Sequence, residues 1–163
     1  MTEFQIGPWT VGAGHPVFCI AEVGLAHEGS LGAAHAYINA AAATGVAAVK
    51  FQTHLAEHES SVAEKFRLKV FPQDATRFEY WRRTGFEKSQ WLELAAHARE
   101  AGLLFLSSPF SEEAVDWLIE CDMPAWKVAS GELTNHPMIR KMAQTGKPIL
   151  ISSGLSSWHE LDE

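Results

Sequence analysis

Apolar and polar positions along this chain fall into a repeating two-part pattern. Short apolar runs with period-two alternation are followed by longer stretches whose apolar residues recur every three or four positions, the marks of strand and amphipathic helix. Phe4-Gln5-Ile6 and Trp9-Thr10-Val11 flank a Gly7-Pro8 turn and predict a short β-hairpin ahead of the main fold. The alternation proper starts with a strand over Val17 to Val23. A helix over Leu31 to Thr44 follows, with Ser30 as N-cap and Gly45 just past its end. Further strands are predicted at Ala47 to Thr53, Leu103 to Ser107, Ala125 to Ala129 and Pro148 to Ser152. Between them lie a helix over Ser89 to Ala101, one opening at Ser111 with Glu112 and Glu113 in its first turn, and one near Pro137. Ser157-Trp158-His159-Glu160 has the spacing of a capping box, so another helix begins there.

Strands alternating with helices imply a parallel sheet covered by helices. Two architectures remain: an open, doubly wound sheet and a closed barrel. Strands sandwiched between two helix layers read as near-continuous apolar runs, whereas these carry Glu22, Lys50, Gln52 and Lys127 in their own bodies. That favours a TIM-type (β/α) barrel, whose strands aim such groups at the C-terminal mouth. An eightfold barrel takes about 250 residues. The 163 residues here are therefore expected to be the front portion of one, about five β/α units preceded by the hairpin. His54 to Lys88 is a long irregular connection, expected either to hang over the mouth or to pack as a surface excursion; Asp74 to Thr84 within it can form a short helix.

Composition narrows the functional classes. A chain that is 47% hydrophobic and 20% charged is an ordinary globular domain. The formal charge of −7 argues against a nucleic-acid surface, so an anionic ligand must be met by a local pocket. No apolar run approaches the roughly 20 residues of a membrane span. The start, Met-Thr-Glu-Phe-Gln, lacks a basic and apolar leader, so a cytoplasmic address is expected. Cys19 and Cys121 form no metal-type pair and read as reduced packing residues.

The candidate chemistry gathers at strand exits. By period-two alternation Lys50 and Gln52 share the barrel-facing side of their strand while Val49 and Phe51 face the helices, and Glu22 ends the first strand. Lys127 is followed by Ser130-Gly131-Glu132, and the last strand exits at Ser152-Ser153-Gly154. Two lysines, hydroxyls and loop amides suit a phosphate or carboxylate, the ammonium supplying charge and the others directed donors. Equally, a strand lysine can be a buried ion pair with Glu22, and serines before glycine can serve only to shape turns. His27 follows the first strand and lies either at the mouth or in the core. His54, Glu57 and His58 approach metal-ligand spacing, but in the wrong order and in a polar loop, which reads as solvated.

At these residues the chain resembles the N-acetylneuraminate (sialic acid) synthase, or NeuB, family. The matching stretches are Ile20-Ala21-Glu22-Val23-Gly24 with His27-Glu28-Gly29, Val49-Lys50-Phe51-Gln52-Thr53, Leu106-Ser107-Ser108-Pro109-Phe110, Trp126 through Asn135, and Gly146 through Gly154. The resemblance implies a carbon–carbon bond-forming transferase that condenses phosphoenolpyruvate with an N-acetylated sugar such as N-acetylmannosamine, giving a sialic acid-type nonulosonic acid and phosphate. It implies a divalent metal, usually manganese, and a homodimer. Carried over by position, Lys50, Lys127, Ser130 and Ser152 are the phosphoenolpyruvate-binding set. Glu22, Gln52 and Ser108 are sugar-side groups, with Glu22 also the catalytic group. Ala26 stands where family members commonly have asparagine. The family's metal-binding histidines lie on later strands, and a C-terminal antifreeze-like (SAF) domain completes the partner's site. Residues 1–163 are thus expected to lack both and to be inactive alone.

Two other classes remain open from the residues. Lys127 can serve as a Schiff-base nucleophile of an aldolase, and the chain can be a non-catalytic ligand-binding or docking piece whose outer strands are unpaired.

Overall fold

The computed structural model describes residues 3–66, 68 and 71–162. Strands β1 (Phe4–Ile6) and β2 (Trp9–Val11) form the expected antiparallel hairpin. The β/α alternation then runs β3 (Ile20–Gly24), α1 (Leu31–Ala42), β4 (Ala48–Thr53), α2 (Ala56–Glu59), α3 (Arg77–Thr84), α4 (Lys88–Glu100), β5 (Leu104–Pro109), α5 (Glu112–Glu120), β6 (Trp126–Val128), α6 (His136–Ala143), β7 (Ile149–Ile151) and α7 (Trp158–Asp162). Each strand predicted from alternation is present, though β3, β6 and β7 are shorter than their apolar runs. Val17 lies outside β3 and is exposed. Cys19 is also exposed, which corrects its reading as a packing residue, whereas Cys121 is buried.

Caps locate the helix starts. Ser30 Oγ accepts from Ala33 N, Thr76 Oγ1 from Glu79 N and Ser111 Oγ from Ala114 N. Each satisfies an N–H that the first helical turn leaves without a partner. The Ser157–Glu160 capping box forms as expected, Ser157 N donating to Glu160 Oε2 and Glu160 N to Ser157 Oγ.

Strands β3, β4 and β5 pair in parallel, Glu22 opposite Lys50 and Gln52 opposite Ser108. Strands β6 and β7 form a second parallel pair, with Lys127 opposite Leu150. Strand β6 lies alongside β5, so the strands make one arc. Its two faces are distinct. Val49, Phe51, Phe105 and Val128 face outward into the main core with Ile38 of α1, Trp91 and Leu94 of α4, Leu118 of α5 and Met138 of α6. Ala48, Leu106 and Ala125 face inward, where Ile6 of the hairpin packs on them with Phe18 and Leu150 at the margin. Helices thus cover one side only, and the hairpin closes the strand N-terminal end on the other. This is part of a (β/α) barrel, the mixed α/β architecture expected from polar residues within the strands.

Candidate functional site

The inner face of the arc changes from apolar to charged as it approaches the strand C-termini. Above the Ala48–Leu106–Ala125 floor, Lys50 Nζ lies 2.7 Å from Glu22 Oε2 and donates to Ser108 Oγ at 3.3 Å. The Lys50 side chain is 10% exposed while that of Glu22 is 48% exposed, so the carboxylate reaches from the open mouth down to a buried ammonium. The ion-pair reading of Lys50 is therefore realised in the structure. Strand register accounts for it: Glu22 on β3 lies opposite Lys50 on β4, which places both side chains on one face. Ser108, expected on the sugar side, is buried opposite Gln52, and the Lys50 ammonium reaches up to it.

Across the arc, Lys127 Nζ donates to Ser152 Oγ and, at 2.7 Å, to the carbonyl of Val128. Burial pushes the Lys127 ammonium below its ordinary range, the charge of Lys50 adds to this, and Glu22 opposes it. The two ammoniums therefore share one electrostatic environment, with the Glu22 carboxylate acting on both. Ser130 opens the 3-10 turn Ser130–Glu132 directly after β6, at the same end of the sheet. Gln52 follows Lys50 on the inner face. A Cβ placed on Gly24 would sit 3.4 Å from Glu22 Oε1 and 3.5 Å from Gln52 Nε2, so the glycine, at φ +57°, leaves both side chains room at the mouth. The structure thus joins Glu22, Lys50 and Ser108 in one contact set and Lys127 with Ser152 in another, while Gln52 and Ser130 lie at the same strand ends.

The long connection after β4 contributes what sequence reading missed. His54 is buried rather than solvated. Its ring stacks on Phe110 at 3.8 Å and on Trp81 at 5.0 Å, its Nδ1 lies 2.7 Å from Glu59 Oε2, and its Nε2 lies 3.4 Å from Gln52 Oε1. The aromatic residues of α3 and of the β5 exit carried that signal, but pairing them required the tertiary fold. Arg83 fixes the same connection. It donates to both carboxylate oxygens of the buried Asp74, at 2.9 Å from Nε and 2.7 Å from Nη2, and to Glu28 at 3.2 Å. The close approach is built on Gly29, at φ +81°, where a Cβ would come within 2.3 Å of the Arg83 carbonyl oxygen. The connection thereby borders a cavity of about 770 Å³ at the strand C-termini, lined by His54, Arg77, Trp81, Phe110, Glu132 and Leu155 among others.

His27 belongs to the core. Its ring stacks on Phe86 at 4.5 Å, Gly29 N donates to Nδ1 at 3.2 Å, and burial lowers its pKa from 6.5 to about 4 against a small opposing effect of Glu28. Among the described residues no group of three or more His, Cys, Asp or Glu side chains is arranged to hold a metal ion. No described helix is long and apolar enough to cross a membrane.

Residues 37–163 match the model of the NeuB family. Human N-acetylneuraminate-9-phosphate synthase is 36% identical over a match covering 95% of this chain and 44% of that protein. The N,N'-diacetyllegionaminic acid synthase of Campylobacter jejuni is 35% identical, covering 88% of this chain and 44% of that protein. In structure, the N-acetylneuraminic acid synthetase of Leptospira borgpetersenii, solved with citrate, superposes with a TM-score of 0.84 at 27% identity, over 99% of this chain and 53% of that one. The chain spans about half the length of the curated relatives it matches, 45% of a protein of Methanocaldococcus jannaschii for example. With two lysines on one inner face at the strand exits, a floor closed by a hairpin and a family match over residues 37–163, the chain belongs to the NeuB family.

Proposed function

We propose that the polypeptide carrying this chain condenses phosphoenolpyruvate with an N-acetylated sugar, N-acetylmannosamine or a relative, to a nonulosonic acid and phosphate. The observation that carries this reading is the pair of ammoniums, Lys50 and Lys127, held on one inner face by hydroxyl partners Ser108 and Ser152. Phosphoenolpyruvate presents a phosphate and a carboxylate close together. Two fixed cations with short hydroxyl donors meet both groups and stabilise charge as it builds on them. Lys50, Lys127, Ser130 and Ser152 form this anion-binding set. Lys127 arrives with its charge disfavoured by burial and by Lys50, so an anionic ligand restores what desolvation costs.

Glu22 lies between the anion layer and the open mouth, 2.7 Å from Lys50. It has the position of a group that holds or moves a proton at the aldehyde oxygen, and Gln52 beside it supplies an amide to a sugar hydroxyl. Ser108, a sugar-side group by the family resemblance, touches Lys50 and so borders the anion layer from that side. Manganese enters this reading on the family resemblance alone. Its ligands are assigned to sequence outside this chain, and nothing in the roles above passes through it. A homodimer completes the reading on the same resemblance.

The test is phosphate release from phosphoenolpyruvate by the full encoded polypeptide with manganese and a panel of N-acetylated hexosamines. Sugar-dependent release that falls at least about 100-fold in Lys127→Ala supports the reading. Release indifferent to every sugar, or to Lys127→Ala, sinks it. One observation favours a second class: the lowered pKa of Lys127 also suits a Schiff-base nucleophile. Borohydride trapping of pyruvate on Lys127 would establish that aldolase chemistry in place of the condensation.

A further inference from the structure

His54 is a buried titratable group that the roles above leave unused. It stands just past the end of β4, two residues beyond Gln52, the spacing at which an extended chain returns to the same side. Its Nε2 lies 3.4 Å from Gln52 Oε1. Three other side chains fix the ring. Trp81 and Phe110 stack on it with interplanar angles of 14° and 16°. At its Nδ1 edge stands Glu59, whose Oε2 is 2.7 Å away and whose Oε1 accepts from Leu55 N. A carboxylate only accepts, so the hydrogen on Nδ1 is committed to Glu59 and the Nε2 edge is the one left for Gln52. A neutral ring accepts there from the amide, and a charged one donates to its oxygen. In both states one end of the Gln52 amide is held, and the other is left toward Gly24 and Glu22.

Stability alone does not call for this arrangement. The side chains of His54 and Glu59 are 6% and 7% exposed, and an apolar pair of similar volume commonly holds a segment as well as a buried polar one or better. What the pair adds is a fixed orientation of the ring edge, beside a cavity that His54, Glu59, Trp81 and Phe110 all line.

We propose that His54, oriented by Glu59, is a positioning residue that holds the Gln52 amide against the acceptor sugar. Resting on the synthase reading above, this role gives the connection after β4 a part in seating the acceptor, while the lysine layer meets phosphoenolpyruvate without it. An amide free to turn presents donor and acceptor at random, whereas one held at its far end presents a single group to a sugar hydroxyl.

Three substitutions in the full encoded polypeptide separate the contacts of the ring. His54→Asn places an amide near the position of Nδ1 and keeps the contact with Glu59. His54→Gln places one near Nε2 and keeps the contact with Gln52, and His54→Phe keeps only the stacked ring. Steady-state kinetics are run with phosphoenolpyruvate, manganese and the panel sugar that gives the fastest phosphate release. His54→Asn and His54→Phe are expected to raise the acceptor KM roughly 5- to 10-fold with the phosphoenolpyruvate KM unchanged, and His54→Gln to stay within about 2-fold of the parent protein. Gln52→Ala raises the acceptor KM to the same degree, and adding His54→Asn to it raises it no further. Melting temperatures take a different order: His54→Gln, which leaves the buried Glu59 without its ring partner, loses at least as much as His54→Asn, which separates seating from folding. An acceptor KM that follows the melting temperatures or rises together with that for phosphoenolpyruvate, or additive effects at the two positions, overturns the role and leaves the synthase reading intact. A parent protein that releases no phosphate with any sugar overturns both.

Discussion

At the scale of single residues, burial decides which histidines and lysines retain charge. His27 accepts from Gly29 N through Nδ1, so its neutral ring carries hydrogen on Nε2, and that atom finds no acceptor among the described residues. A second proton would place a charge against Phe86 and Phe51, which is why its pKa falls from 6.5 to about 4. Above 6.5 the ring is neutral in both folded and unfolded chains. Between 6.5 and about 4 the unfolded chain takes up a proton that the folded one refuses, so stability declines as pH falls through this window. The expected loss from this one residue is about 1 kcal/mol between pH 6.5 and 5.5. As pH drops across that range, the urea midpoint of the parent protein should fall relative to that of His27→Phe; parallel curves would show that His27 does not titrate in this way. Lys127 follows the same physics with a different outcome, since an anionic ligand can return what burial removes. Sequence alone left His27 between mouth and core, because position after a strand does not reveal the aromatic residues, Phe86 above all, that arrive from the far end of the long connection.

Secondary-structure elements were legible where one periodicity ruled a whole segment. Strand β4 is the clearest instance: alternation alone assigned Val49 and Phe51 to the helices and Lys50 and Gln52 to the inner face, and packing agrees. Helix starts at Ser30 and Ser111 were equally readable, because capping is a local interaction between a side chain and an N–H three residues on. Within the connection from His54 to Lys88 the short helix expected over Asp74 to Thr84 is present as α3, but its docking was opaque for the opposite reason. Its order comes from contacts between distant positions, His54 between Trp81 and Phe110 and Arg83 on Asp74 and Glu28, none of which has a period. Asp74 is 4% exposed, so removing its partner strands a buried carboxylate. Arg83→Ala should cost about 2 kcal/mol. It should also release the connection while the β/α core persists. Limited proteolysis with mass spectrometry would detect this as new cleavage between residues 54 and 88 with unchanged far-ultraviolet dichroism. Protection equal to that of the parent protein would mean that aromatic stacking holds the segment without the ion pairs.

Over the whole molecule, the apolar surface is distributed by what the arc leaves uncovered. Strands β3 and β7 are the outer members of their sheets, and each presents unpaired backbone donors and acceptors on one side. Exposed apolar side chains collect beside the second edge: Ile151 in β7, then Leu155 and Trp158, the last 84% exposed. Val17 leads into the first edge and is exposed as well. A net charge of −7 opposes association between copies, but at physiological salt such repulsion is screened beyond about 8 Å, while edge pairing and apolar burial act at contact. Contact terms should therefore win. Residues 1–163 produced as a separate piece are expected to form dimers or larger species in light scattering, with weight-average mass rising with concentration. Ile151→Lys puts a charge in the exposed edge strand, where lysine is a common guard against pairing, and should shift the piece toward monomer. A longer polypeptide whose added strands pair with β7 should show neither effect. If the separate piece stays monomeric at high concentration and Ile151→Lys changes nothing, the β7 edge does not drive association, and the exposed apolar residues around Trp158 are tolerated in water.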